Sequence, residues 1–296
     1  MTTLLTGTSG FLGAVVLQQA LNPVNQLDIS VISAKARKDL PFILRVGSEL
    51  DISEDSMKIL TRTSQLVLIG SYMPKNKTEL DLYELATESF DFVSNLLSIP
   101  LPKLKKIIYV STMDVYARDG FEINESSKTY PSNAYTAMKL AAEELIENFA
   151  ISKGVKFQIL RFGHIYGSGD EKSTKIVPNL FRAILKNDVF QLQVGLEQKI
   201  NLLYVQDAAK VLVKATKNNL ENGVYNVVAQ EPISVGRIIQ MLEFVTNKKL
   251  KKNQTAEKVD NALYNFAAPR IFQILNIKET KIEDGLFEMY KDLSRS

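Results

Sequence analysis

The 296-residue chain contains no cysteine, no tryptophan and a single histidine. With no thiolate and one imidazole, the polypeptide alone can build no cysteine zinc site, iron–sulfur cluster, three-histidine zinc centre or cysteine nucleophile. A Ser-His-Asp triad would have to use His164. No metal site is expected, and the chemistry falls to hydroxyls, carboxylates, amines or a borrowed cofactor. Excess charge is scarce as well. The 36 Lys+Arg against 33 Asp+Glu leave only +3, too little to imply a nucleic-acid or membrane surface. Lys248-Lys249 and Lys251-Lys252 read as a solvated loop or helix end. No apolar run approaches the roughly 18 residues of a membrane span. The first strand-like residues are already Leu4 and Leu5, which leaves no room for a basic and apolar leader before them. A cytoplasmic protein is the expectation.

What is present is ample core material: 45% apolar and 23% charged residues argue against disorder, and the length suits one large domain or two modest ones. The first half alternates short β-type runs (3–6, 28–33, 66–70, 107–111, 156–162) with helical patterns (11–21, 53–61, 83–97, 135–149). That alternation predicts an α/β fold, a Rossmann-type doubly wound parallel sheet covered on both faces. In the last helical pattern Met138, Ala142, Leu145 and Phe149 recur at helical spacing, with Glu143, Glu144 and Glu147 as the polar residues between them. After Gly167 the rhythm becomes mixed. The expected division is a dinucleotide-binding part over 1–166 and a smaller substrate-binding region over 167–296, with the strand-like 223–228 returning to the first sheet. No repeat or low-complexity tract is found.

Gly7, Gly10 and Gly13 follow the first strand and open the first helix. Glycine permits the tight turn, the close approach of main chain to a pyrophosphate and close packing of helix on sheet. The helix N-terminus offers unpaired N–H groups to the anion. The expected contacts are Gly7, Thr8, Ser9, Gly10, Phe11, Leu12 and Gly13. The dinucleotide's identity turns on the end of the second strand, where a carboxylate would hold an unphosphorylated ribose. Asp28 begins that strand and sits at its wrong end. Ser33, Lys35 and Arg37 at the other end bring a hydroxyl and two cations, which predicts NADP(H) over NAD(H) unless both cations are simply exposed loop residues.

The ordered set formed by the glycine triplet, Ser111-Thr-Met-Asp-Val-Tyr116, Tyr135-Thr-Ala-Met-Lys139, Arg161-Phe-Gly-His-Ile-Tyr-Gly167 and Tyr204-Val-Gln-Asp207 resembles the extended short-chain dehydrogenase/reductases, which act largely on nucleotide sugars. Tyr135 and Lys139 lie four apart and share a helix face. An ammonium near a phenol favours the phenolate, so Tyr135 can exchange a proton with an alcohol or ketone while a nicotinamide carries hydride. The resemblance implies that Lys139 also meets the nicotinamide ribose and that Thr112 orients the substrate oxygen. It implies that Asp51-Ile52 contacts adenine, that Gly70-Ser71 lines the cofactor cleft and that Phe162 lies beside the nicotinamide. His164 is either near the substrate phosphates or a structural histidine. It implies a homodimer built on helices such as 135–149.

Two departures narrow the reading. Relatives that eliminate water carry Asp-Glu after the threonine, whereas Met113 and Asp114 stand here, which disfavours a dehydratase. Asp114 is then a substrate contact or a local hydrogen-bonding group. Ile200 occupies the place of an Arg that grips a diphosphate in relatives, and Lys172 and Lys175 are candidate substitutes. The leading expectation is NADP(H)-dependent reduction of a keto group on a nucleotide-linked deoxysugar, with Thr112, Tyr135 and Lys139 catalytic. The alternatives are an NAD-dependent 4-epimerase and a non-catalytic dinucleotide-binding regulatory protein.

Overall fold

The computed structural model describes residues 2–70, 79–118, 122–171, 173–254, 266–267 and 269–294. In chain order its elements are β1 Thr2–Leu5, α1 Phe11–Ala20, β2 Asp28–Ser33, β3 Phe42–Val46, β4 Glu49–Leu50, α2 Glu54–Arg62, β5 Gln65–Leu68, α3 Glu79–Ser98, β6 Lys106–Thr112, α4 Ala134–Lys153, β7 Lys156–Phe162 and β8 His164–Tyr166. There follow α5 Ile176–Lys186, β9 Val189–Leu192, β10 Lys199–Ile200, β11 Leu202–Tyr204, α6 Val205–Lys217, β12 Gly223–Val227, β13 Ile233–Ser234, α7 Val235–Thr246, β14 Lys251–Gln254, α8 Arg270–Ile274 and α9 Ile282–Leu293.

Eight strands form one sheet in the order β12-β7-β6-β5-β1-β2-β3-β4, parallel except for the β3–β4 hairpin. Every residue of β6 is buried, as a parallel strand covered on both faces requires. One apolar core lies on the side of α1 and α6 and continues into the C-terminal elements. The other lies under α2, α3 and α4. From β1 the chain winds outward through β2 and β3, then crosses back to β5 and proceeds the other way. The reversal opens a crevice at the carboxyl ends of β1 and β5, where ligands of such sheets bind. β12, from much later in the chain, pairs in parallel with β7 over five residues.

Three local readings change. The strand-like stretches at 42–46 and 49–50 form the hairpin edge of the sheet, a feature the alternation of strands and helices did not single out. Lys251 and Lys252, read as loop or helix end, instead open β14, which pairs with β9 while both side chains stay exposed. In α4 the buried face is Thr136, Lys139, Ala142, Glu143, Ile146 and Ala150, rotated from the Met138, Ala142, Leu145 and Phe149 stripe. Leu145 and Phe149 are partly buried at its flank, and Glu143 points inward. Among the described residues, no helix is long and apolar enough to cross a membrane.

Candidate active site

The turn after β1 is built around two glycines that touch. Gly7 has φ +65°, and a Cβ there would lie 2.0 Å from the Ile69 carbonyl oxygen. A Cβ at Gly13 would lie 2.0 Å from the Gly7 carbonyl oxygen, so helix and turn approach to a distance no side chain permits. The Thr6 hydroxyl donates to the Ile69 carbonyl at 3.0 Å and accepts from the Ile69 N–H at 2.9 Å, locking β1 to β5. Gly10 caps α1 with no side-chain acceptor, leaving the first N–H groups of the helix for an anion. Thr8 is buried beneath the turn and Ser9 is exposed. The main chain of this turn is bare toward the crevice, and the cradle fits a pyrophosphate.

A cavity of about 280 Å³ opens over this turn. It brings Gly7, Gly10, Phe11, Leu12, Gly13 and Gly70 together with Thr112, Tyr135, Lys139, Phe162 and His164. Lys175 also lines it. Tyr135 and Lys139 reach it because α4 begins with a capping box: the Asn133 side chain accepts from the Thr136 N–H at 3.0 Å, and the Thr136 hydroxyl accepts from the Asn133 N–H at 3.2 Å. The Lys139 Nζ donates to the Val110 carbonyl at 2.8 Å and the Gly70 carbonyl at 3.0 Å. It lies 4.8 Å from the Tyr109 ring centroid and 6.0 Å from that of Tyr135. Burial lowers the Lys139 ammonium to about 7, with the Glu143 charge acting in the opposite direction.

The Thr112 hydroxyl accepts from the Asp114 N–H at 3.2 Å. Its separation from the Asp114 carboxylate is 3.4 Å, a weak bond that leaves its hydrogen available to a substrate oxygen. Asp114 is held by Arg118 at 2.6 Å, and Met113 is buried. His164 is pulled down in pKa chiefly by burial, against the opposing charge of Asp114. The Lys175 ammonium meets Asp170 at 3.1 Å and the Ile165 carbonyl at 3.2 Å, and lies 5.2 Å from the Phe11 ring centroid.

Other expected residues stand apart from this cavity. The Ser33 hydroxyl accepts from the Lys35 N–H at 3.2 Å. Arg37 folds onto Asp39 through two bonds of 3.0 and 2.6 Å. The Asp51 N–H donates to the Leu44 carbonyl at 2.9 Å, and Leu44 pairs with Ser33, which sets both at the same end of the sheet. Asp51 and Ile52 are exposed. None of these five lines either cavity at the glycine turn. Ser71 and Lys172 lie outside the described residues. Ile200 is buried and Lys199 exposed in β10, as strand alternation dictates.

Sequence reasoning missed two groups. One turn beyond Lys139 on α4, Glu143 forms a buried ion pair with Arg161 at 2.6 Å and accepts from the Ser111 hydroxyl. Arg161 also lies 4.6 Å from the Tyr116 ring centroid, and the Tyr116 hydroxyl donates to Asn226 at 2.7 Å. The signal was the i, i+4 relation of Lys139 and Glu143 ahead of Ile146 and Ala150. The second group, Arg45, Ser89, Phe92 and Tyr109, lines a further cavity of about 180 Å³, which shares Gly7, Gly10, Ile69 and Gly70 with the first and takes in the expected Ser9.

The sequence matches the model of the NAD dependent epimerase/dehydratase family over residues 3–228. It is 23% identical over 261 residues to a UDP-N-acetyl-alpha-D-glucosaminuronate decarboxylase of Bacillus cytotoxicus, covering 84% of this chain and 81% of the relative. It is 27% identical over 164 residues to a GDP-6-deoxy-D-mannose reductase of Pseudomonas aeruginosa, covering 52% and 53%. The fold superposes on a UDP-glucuronic acid 4-epimerase from Bacillus cereus in complex with NAD with a TM-score of 0.81 at 20% identity, covering 100% of this chain and 97% of that one.

Proposed function

This chain belongs to the NAD dependent epimerase/dehydratase family as an NAD(P)-dependent enzyme of the extended short-chain dehydrogenase/reductase type, and on that premise we propose that it is a nucleotide-sugar 4-epimerase working on NAD. The observation that carries the choice of dinucleotide is the Arg37–Asp39 pair. The guanidinium that would meet a 2′-phosphate already has a carboxylate partner, and breaking that exposed pair adds a small cost that favours the unphosphorylated cofactor. The likeness of the fold to the Bacillus cereus UDP-glucuronic acid 4-epimerase in complex with NAD supports the same reading.

A bound nicotinamide dinucleotide supplies the acceptor and donor of hydride. Gly7, Gly10 and the first turn of α1 would hold its pyrophosphate, and Lys139 and Phe162 its nicotinamide half. Thr112, its oxygen fixed by the Asp114 N–H, turns its O–H toward the sugar oxygen. Tyr135 takes the proton of the sugar hydroxyl as the carbonyl forms and returns it as the alcohol is restored. Lys139, one helical turn away, favours the phenolate when charged. Elimination of water is disfavoured, because Met113 has no proton to exchange and Asp114 is held by Arg118. Lys175, which lines the same cavity, would supply the cation that a substrate diphosphate needs where Ile200 stands in place of an Arg.

Keto-sugar reduction by NADPH is the second reading. It is favoured by the lack of an acid among residues 33–37 and by the likeness to the GDP-6-deoxy-D-mannose reductase. Incubation with UDP-glucuronic acid, UDP-glucose and their C4 epimers decides between the two. The epimerase yields the C4 epimer by NMR with no net change in nicotinamide absorbance. Stoichiometric loss of NADPH with a keto-sugar substrate, and no epimer, overturns it.

A further inference from the structure

One row of the sheet lies a single residue inside its reacting end. In the strand register Ser111 of β6 pairs with Arg161 of β7, and Arg161 pairs with Asn226 of β12. The next row is Thr112, Phe162 and Val227, and the first two of these line the cavity of Tyr135 and Lys139. Glu143 of α4 closes onto the inner row. Its Oε2 accepts from the Arg161 Nη2 at 2.6 Å, and its Oε1 accepts from the Arg161 Nε at 3.1 Å and from the Ser111 hydroxyl. All three side chains are buried. A carboxylate held at both oxygens by groups on two strands keeps one orientation.

The residue so gripped joins the two points that the chemistry uses. Before Ser111, the Val110 carbonyl accepts from the Lys139 Nζ at 2.8 Å. After it, Thr112 carries the hydroxyl assigned to the sugar oxygen. Lys139 is itself buried, and its hydrogen bonds go to the neutral carbonyls of Val110 and Gly70. The titratable groups around it are Tyr109 on β6 and Tyr135 and Glu143 on α4, with Arg161 on β7 paired to Glu143. Burial pushes the Tyr109 phenol up, so it faces the ammonium as a neutral ring. Glu143, one helical turn beyond Lys139, is the carboxylate whose charge opposes the desolvation of that ammonium.

We propose that Glu143 is a positioning residue for proton exchange at Tyr135: fixed by Arg161 and Ser111, its carboxylate is the counter-charge of the Lys139 ammonium and ties α4 to the strand that carries Thr112. This rests on the Tyr135–Lys139 mechanism above and deepens it.

The test is the pH profile of kcat with NAD and UDP-glucose or UDP-glucuronic acid, together with an NMR titration of the Lys139 Cε. Both are measured for wild type, Glu143→Gln, Ser111→Ala and the double variant Glu143→Gln with Arg161→Gln. Melting temperatures report folding, and the double variant removes the stranded cation should Glu143→Gln alone fail to fold. Activity needs Lys139 charged, so kcat falls as pH rises through its titration. In both Glu143 variants that titration and the falling limb of kcat should move together to lower pH by about one unit. This reads as roughly a tenfold loss of kcat above the limb, with KM for the nucleotide sugar near wild type. Ser111→Ala removes a hydrogen bond and keeps the charge, so both should stay in place. Folded Glu143 variants in which Lys139 titrates as in wild type overturn the proposal, and so does an equal shift in Ser111→Ala. Wild type that turns over neither sugar overturns the epimerase reading, and the Lys139 titration then decides the role of Glu143 by itself.

Discussion

The carboxyl ends of β6 and β2 carry similar side chains, a hydroxyl followed by charge, in opposite physical settings. At β6, Ser111 and Thr112 are buried, Lys139 beside them is 5% exposed, and Glu143 and Arg161 neutralise each other out of water. At β2, Ser33 is half-buried, Lys35 is exposed, and Arg37 meets Asp39 at a surface where that carboxylate is open to solvent. A buried charge is fixed by every neighbour that shields it, and its loss strands a partner. An exposed pair is one geometry among many of similar free energy. One strand end is therefore held rigid by its surroundings, and the other is a surface that a ligand can rearrange.

The largest break in this contrast should come from Tyr135→Phe. It removes the exchangeable proton from the buried end and should lower kcat by about 10²–10⁴ while NAD affinity, read by calorimetry, stays near wild type. Next comes Glu143→Ala, which leaves Arg161 and the Ser111 hydroxyl without their acceptor. Urea denaturation should register a loss of about 3–5 kcal/mol, and Glu143→Met with Arg161→Met should recover most of it. Wild-type stability in Glu143→Ala would show that the buried setting carries no weight.

A pH effect follows from Lys139. Its folded-state pKa of about 7 lies below its ordinary value of 10.5, so between these two the unfolded chain binds more protons than the native one. Stability contributed by this group therefore rises with pH from about 7 to about 10.5, and the penalty is fully present below 7. The slope of melting temperature with pH in that window should be smaller in Lys139→Met than in wild type; identical slopes would refute the burial argument. The smallest effect belongs to β2. Asp39→Asn should leave the melting temperature unchanged and, by releasing Arg37, shift the ratio of NADP to NAD affinity toward NADP. An unchanged ratio would show that Arg37 plays no part in cofactor choice.

What could be read from the sequence follows the same divide. The βαβ alternation, the glycine turn and the Tyr135–Lys139 spacing are short-range patterns, and each is dictated by covalent neighbours within a turn or two. Arg45 could not be read this way, because a short edge hairpin carries no strong alternation and its partners Glu88 and Phe92 arrive from a helix far along the chain. Glu143 was legible as helical and misread in direction. Glutamate in a helix is ordinarily solvent-facing, and only Arg161 on β7 and Ser111 on β6 make its inward turn affordable. Ser33, Lys35 and Arg37 were placed correctly at a strand end, but Asp39, two residues beyond, changes what Arg37 can offer.

The pairing of β12 with β7 also bears on how the molecule is made. On the ribosome, β7 is finished some sixty residues before its neighbour, Gly223–Val227, exists, a separation that makes the contact slow to form. Until then β7 is an open edge with unpaired backbone groups, and the Tyr116 hydroxyl lacks Asn226. A nascent or truncated chain ending before residue 223 holds the whole glycine turn and Tyr135, yet it should be a client for chaperones before it is a catalyst.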